Sequence, residues 1–279
     1  MSTQYKSFAS QAITSNSSVV ISAPSGITDG EVLVAIIGYD NTSVSISAAP
    51  SGWTLVGSAG SGGSIFNTAL ALYWKVASSE SGSYTWTLSS GAASGGGILR
   101  LGSTSTSPID VSSLAGSSPT PVTSISASGV TPTTNNGIII AASMVARDVS
   151  VPSNTTAQAI ATDNPTWVEL LDSSVSGGVS YLLNIVYGVR PQTTATGSYS
   201  ATTDQAFIRL ATCLAFIKRV GSQTFSESVT CSDVATGSAG FKLTVSDTVT
   251  ATDTITDDEQ KTWATQTKSS TTWLNQNKS

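Results

Sequence analysis

The chain has 279 residues, 39% of them hydrophobic, which is long and apolar enough for a substantial core and excludes disorder throughout. Only 10% of residues are charged, the net charge is -5, and basic residues stand singly, as Lys6, Lys75, Arg100 and Arg147 do, so there is no electrostatic footprint for DNA or RNA. There is no histidine, which excludes Ser-His-Asp and Cys-His catalysis and removes the commonest zinc ligand.

The N-terminus, "MSTQYKSFASQAITSNSS", lacks the charged region and apolar run of a signal peptide, and no stretch approaches about 18 apolar residues. Synthesis in a cytoplasm and no membrane insertion are expected. From there to about residue 220, short segments rich in Val, Ile, Thr, Tyr and Trp alternate with Ser/Gly/Asn/Pro clusters, with no sustained helical period. This predicts an all-β fold. The segment "EVLVAIIGY" (31–39) is nearly continuous in apolar residues, as a strand covered on both faces would be. In contrast, "SYTWTLS" (83–89) alternates, with Tyr84, Trp86 and Leu88 on one side and Thr85 and Thr87 on the other. Gly95-Gly96-Gly97, before "ILRL", leads into a strand and not a helix, so a tight turn is expected there and not a phosphate loop.

An internal repeat follows. "EVLVAIIGYDN" is echoed by "GIIIAASMVARD" (137–148), "SGWTLVGS" (51–58) by "NPTWVELLDS" (164–173), and "ALALYWKVASSESGSYTWTLSS" (69–90) by "YLLNIVYGVRPQTTATGSYSATT" (181–203). Trp53 thereby pairs with Trp167 and Tyr84 with Tyr199, and "AFIRLATCLAFIKR" (206–219) roughly matches "GGILRLGS" (96–103). Two copies of four or five strands, about 18–103 and 135–219, would each leave an apolar face wet, so a single jelly-roll or Greek-key sandwich over residues 1–220 is predicted. The link 102–136 carries its own alternation, with Val122, Ile125 and Val130, and is expected to hold an edge strand and the crossing.

The string "GEVLVAIIGYDN … SGWTLVGS … LYWKVASSESGSYTWTLS … GGILRLGSTSTSPID" resembles a jelly-roll module of tailed-phage virion structural proteins that also recurs in bacterial surface proteins. The resemblance spans about residues 18–220 and brings no catalytic residue with it. It implies a structural role in a virion, as capsid decoration, head fibre or tail fibre.

Beyond Arg219 the composition changes. "FSESVTCSDVAT" (225–236) returns as "VSDTVTATDTIT" (245–256) around the turn "GSAG" (237–240), which predicts a small hairpin within a C-terminal segment, 221–279. Thr256-Asp257-Asp258-Glu259 has the form of a capping box for a short helix. The end, "KTWATQTKSSTTWLNQNKS", repeats itself: Trp263, Gln266 and Lys268 recur as Trp273, Gln276 and Lys278. Nothing nearby in sequence can cover either indole, so these six residues are the candidate partner-binding set. The Ser-Asp-Thr-Val-Thr and Trp-x-x-Gln-x-Lys repeats also resemble C-terminal repeats of tailed-phage structural proteins.

The remaining candidates are carboxylates and aromatics. Asp40, Asp110, Asp148, Asp163, Glu169, Asp172 and Asp204 lie mostly beside turn residues, where Asp caps its own backbone. A calcium site at Asp40 with Asn41 or at Asp163 with Asn164, and a glycosidase-like acid pair, are the alternatives. Trp53, Trp74, Trp86 and Trp167 suit a core, with a lectin surface as the alternative. Cys213 and Cys231 are expected as free thiols. The expected protein is a non-enzymatic virion component without metal or cofactor, attached to other virion proteins and to its own copies through the C-terminal segment. The alternative is a bacterial surface module that binds a carbohydrate, with a host-surface glycan as partner.

Overall fold

The computed structural model describes residues 5–62, 67–102, 107–147, 155–162, 164–176, 179–218, 224–230 and 248–254. The chain falls into two units, one spanning Thr3–Gly221 and the other containing Ser222–Ser279 with Met1–Ser2. Every regular element described is a strand and all pairings are antiparallel.

In the first unit, β1 (Tyr5–Ser22), β2 (Val32–Asp40), β3 (Ile46–Ala48), β4 (Thr54–Gly60), β5 (Thr68–Val76) and β6 (Ser83–Leu101) form one sheet, ordered β1-β6-β2-β5-β4 with β3 against β6. The chain continues through β7 (Ile109–Ser117), β8 (Val122–Ala127), β9 (Gly137–Arg147), β10 (Thr155–Ile160), β11 (Val168–Val175), β12 (Ser180–Arg190), β13 (Tyr199–Phe207) and β14 (Arg209–Ile217). Five of these make a second large sheet, β11-β12-β9-β14-β7, and three a small one, β10-β13-β8. The 102–136 link therefore holds two strands, each at the edge of a different sheet.

The two large sheets pack face to face. Val32, Val34 and Ile36 of β2 and Leu70 and Leu72 of β5 meet Ile138, Ile140, Ala142 and Met144 of β9 and Leu183 and Ile185 of β12 in one core. The alternate residues point the other way and are buried too. Leu33, Ala35, Ile37, Ala71 and Tyr73 pack against Val19, Ile21, Tyr84 and Trp86. On the far side of the molecule, Ile139, Ala141, Val145, Leu182 and Val186 pack against Ile125 of β8, Ile160 of β10 and Tyr199 and Ala201 of β13. Both central strands are thus covered on both faces, which is why they read as unbroken apolar runs.

The predicted sandwich consequently has further layers outside its two large sheets. On the first side the outer layer comes from the same strands: β6 pairs with β2 over Ser94–Leu101 and with the end of β1 over Ser83–Thr87. Between these stretches the β1–β6 register slips twice, at Gln11/Thr14 and Asn16/Ser18, and such bulges let a strand pair turn a corner into another layer. The alternation of 83–89 appears as exposed and buried residues in strict succession. The three glycines do not form a turn: Gly95, Gly96 and Gly97 lie inside β6, between β1 and β2. A Cβ on Gly95 would lie 2.9 Å from the Gln11 carbonyl oxygen, one on Gly96 2.5 Å from that of Ile36, and one on Gly97 would collide with the Phe8 ring. Close backbone approach explains these glycines, and not freedom of φ.

Both long edges of the sandwich are tied. On one side the Ile13 N–H of β1 donates to Ser173 Oγ of β11 at 3.0 Å. On the other, β4 and β7 come so close that a side chain on Gly116 would strike the backbone of Gly60, and Ser118 Oγ donates to the Gly62 carbonyl at 2.6 Å. In the second unit, β15 (Thr224–Thr230) pairs with β16 (Thr248–Thr254), setting Phe225 opposite Asp253 and Val229 opposite Val249.

Candidate functional site

Trp263, Gln266, Lys268, Trp273, Gln276 and Lys278 lie outside the described residues, as do the capping-box sequence, Cys231, Asp148 and Asp163. Of the C-terminal segment, only the β15–β16 pair is described, and the carboxylates and aromatics of the first unit are the candidates with geometry.

Two carboxylates hold loops. Asp40 ends β2, and its Oδ1 accepts from the Thr42 N–H at 2.9 Å and the Thr42 hydroxyl at 2.7 Å, closing an Asx turn. It also accepts from the Tyr181 hydroxyl of the facing sheet. Asp110, on β7, accepts from the Thr133 N–H at 2.6 Å, from the Thr133 hydroxyl at 2.5 Å and from the Thr134 N–H at 3.2 Å. Burial alone would raise its pKa, but these donors and Lys218 hold it below the usual carboxylate range.

Glu169, Asp172 and Asp204 differ. Glu169 and Asp172 lie on β11 and Asp204 on β13, which crosses above. Asp172 Oδ2 accepts from the Thr155 N–H at 2.7 Å, tying β10 to the large sheet, while its buried Oδ1 has no partner. Burial first, and the charges of Glu169 and Asp204 after it, push its pKa up to about 6 in spite of the Thr155 bond. Tyr199 is fully buried and its hydroxyl is unpartnered; burial, and after it the charges of Asp172 and Glu169, raise its pKa. Opposite Asp172 in register stands Asn184, fully buried, followed across the sheet by Ser143 and Thr212. A row of polar side chains thus crosses an otherwise apolar face. Asn184 was not among the sequence candidates, although it interrupts the run "YLLNIVYGV" and a lone amide in a buried strand is a visible signal. Among the described residues, no three of His, Cys, Asp and Glu gather as metal ligands.

The tryptophans of this unit serve packing. Trp86 is fully buried, and Trp53 sits edge-on to both Trp86 and Tyr84 at 5.2 Å. Trp167, half-buried, makes the corresponding edge contact with Tyr199 at 5.5 Å, and its indole N–H donates to Asn164 Oδ1. Trp74 is half-buried against the central core. Cys213 is free and buried, its thiol pKa pushed up to about 12 by burial. The chain matches no family model, no curated protein and no solved structure.

Proposed function

We propose that the protein is a non-enzymatic structural component of a tailed-phage virion, displayed on the particle surface and held there through residues 221–279. The observation that carries this reading is the contrast between the two units. The first has both long edges of its sandwich tied and spends its tryptophans on its own packing. The second offers a two-stranded ribbon, β15–β16, followed by the doubled Trp-x-x-Gln-x-Lys tag. A ribbon can be extended by a neighbour's strand, and two linked aromatic tags raise each other's effective concentration once one is bound.

The first unit is read as two copies of one jelly-roll module. Its large sheets run β1-β6-β2-β5-β4 and β7-β14-β9-β12-β11, so corresponding repeat segments occupy corresponding places. Trp53 on Tyr84 and Trp167 on Tyr199 repeat one aromatic contact.

The test is incorporation. A chain ending at Gly221 is expected to fold and to be missing from particles, and replacing both Trp263 and Trp273 by Ala should reduce occupancy more than either change alone. Recovery of the shortened protein on particles at full occupancy would refute attachment by the tail. Glycan binding lost on replacing a tryptophan would favour a carbohydrate-binding module instead.

A further inference from the structure

Asp172 Oδ1 and Asn184 Oδ1 are both buried and both without a hydrogen-bond partner. The two residues are direct cross-strand partners on one face of the sheet, which sets their Cβ atoms about 5 Å apart. The orientation of the amide is fixed: Asn184 Nδ2 donates to the Leu171 carbonyl at 3.3 Å, and turning the group over would press its oxygen against that carbonyl. Two buried acceptors on directly paired residues therefore lack a donor, an arrangement that costs free energy while Asp172 is ionised.

Among the described residues, the charges that act on Asp172 are those of Glu169 on its own strand and Asp204 on β13, both acidic; the phenol of Tyr199 feels Asp172 in turn, Thr155 of β10 donates its N–H, and Asn184 of β12 stands opposite. A proton on Oδ1 removes the negative charge, supplies the missing donor to Asn184 and leaves Oδ2 free to keep the Thr155 N–H.

We propose that Asp172 and Asn184 share a proton, and that this proton is an acid-operated link joining β11 to β12 on the face of the large sheet that lies beneath β10. The link forms as Asp172 takes up the proton and is lost as it is released, while the Thr155 N–H, which favours the ionised carboxyl, opposes the change. The direction follows from linkage. A carboxyl that holds its proton more tightly folded than unfolded adds stability that is fully present below the unfolded pKa and is lost as pH rises through the folded one, here between about 4 and about 6.

The experiment uses the full chain. Folding stability is measured by denaturant titration between pH 4.5 and 7.5 for wild type and Asp172→Asn, with EDTA and with millimolar calcium chloride, and the Asp172 side-chain carbon is followed by NMR. The asparagine keeps an oxygen for Thr155 and offers Asn184 a permanent donor. The ratio of the variant's folding constant to that of wild type should rise about tenfold from pH 4.5 to pH 7.5, the half-exposed position of Asp172 reducing the larger linkage a full two-unit shift would give. The wild-type carboxyl should titrate near 6. Titration near 4, or a ratio that does not rise between pH 4.5 and 7.5, overturns the proposal. So does calcium stabilising wild type at pH 7.5 as much as acid does but leaving the variant unchanged, because a metal ion would then be the natural occupant. If the variant does not fold, the wild-type carboxyl titration decides alone.

Discussion

Separating the two large sheets is the most direct way to test what holds the first unit together. A chain of residues 1–102 retains β1 to β6 and the layer formed by the turned-over ends of β1 and β6. It loses everything that covers the other face of its large sheet, where Val32, Val34, Ile36, Leu70, Leu72, Leu99 and Leu101 are fully buried in the whole chain. At about 1.5–3 kcal/mol for each large aliphatic side chain, exposing these seven forfeits on the order of 10–20 kcal/mol. That equals or exceeds the roughly 5–15 kcal/mol by which an entire domain is normally stable. The half-length chain should therefore aggregate, self-associate through this face or remain unfolded, as read by size-exclusion chromatography with light scattering and by circular dichroism on heating. A soluble monomer with a sharp melting transition would refute the reasoning, since it would mean that the outer layer alone supports the sheet.

Three further substitutions probe single positions. Trp86→Ala should cost about 3–5 kcal/mol and lower the melting temperature by about 6–20 °C, because the indole is fully buried among Trp53, Tyr73 and Tyr84, whereas Trp167→Ala, at a half-buried site, should cost about 1–2 kcal/mol; calorimetry on both decides. Glu31→Gln should weaken the protein at neutral pH and converge with wild type in acid. Burial tends to raise the Glu31 pKa, but the two bonds from Arg100, at 2.6 and 2.8 Å, and the Thr28 N–H outweigh it and hold the carboxyl below its ordinary 4.5, so the stability it contributes is present above that value and lost as pH falls through the folded one. A constant gap between variant and wild type down to pH 3 would count against it.

The strand content and the central core could be read from residues 31–39 and 137–147, because unbroken apolar runs require cover on both faces. What supplies that cover could not. On one side it is the continuation of the same two strands around a corner, and the register slips near Gln11 and Asn16 that permit the corner have no sequence signature among the Ser, Thr and Asn residues that host them. Gly95-Gly96-Gly97 misled for a related reason: adjacent glycines usually mark a turn, and the pressure of Phe8, Ile36 and Gln11 that demands them becomes apparent only once β6 is flanked. Among the carboxylates, Asp40 caps its own backbone at Thr42 as expected of Asp beside turn residues, whereas Asp110 sits on β7 and holds the distant Thr133 and Thr134 instead. Asp172 does neither, since its character comes from Asn184 opposite and Asp204 above, which are distant in sequence. The doubled tryptophan tag is visible as a pattern in the sequence and lies outside the described residues.

The pairing of β1 with β6 also governs the order in which the molecule can be assembled. Tyr5 stands opposite Leu101 and Ile13 is tied to Ser173, so β1 waits for residues far along the chain to be made before its neighbours exist. Topologies dominated by such distant pairings fold slowly. During that interval β1 is an unpaired strand exposed to other nascent chains. Its sequence, "YKSFASQAITSNSSVVIS", keeps apolar residues to runs of at most two, separated by Ser, Thr, Asn, Gln or Lys, until Val19, which keeps the waiting segment soluble while the rest of the sheet is synthesised.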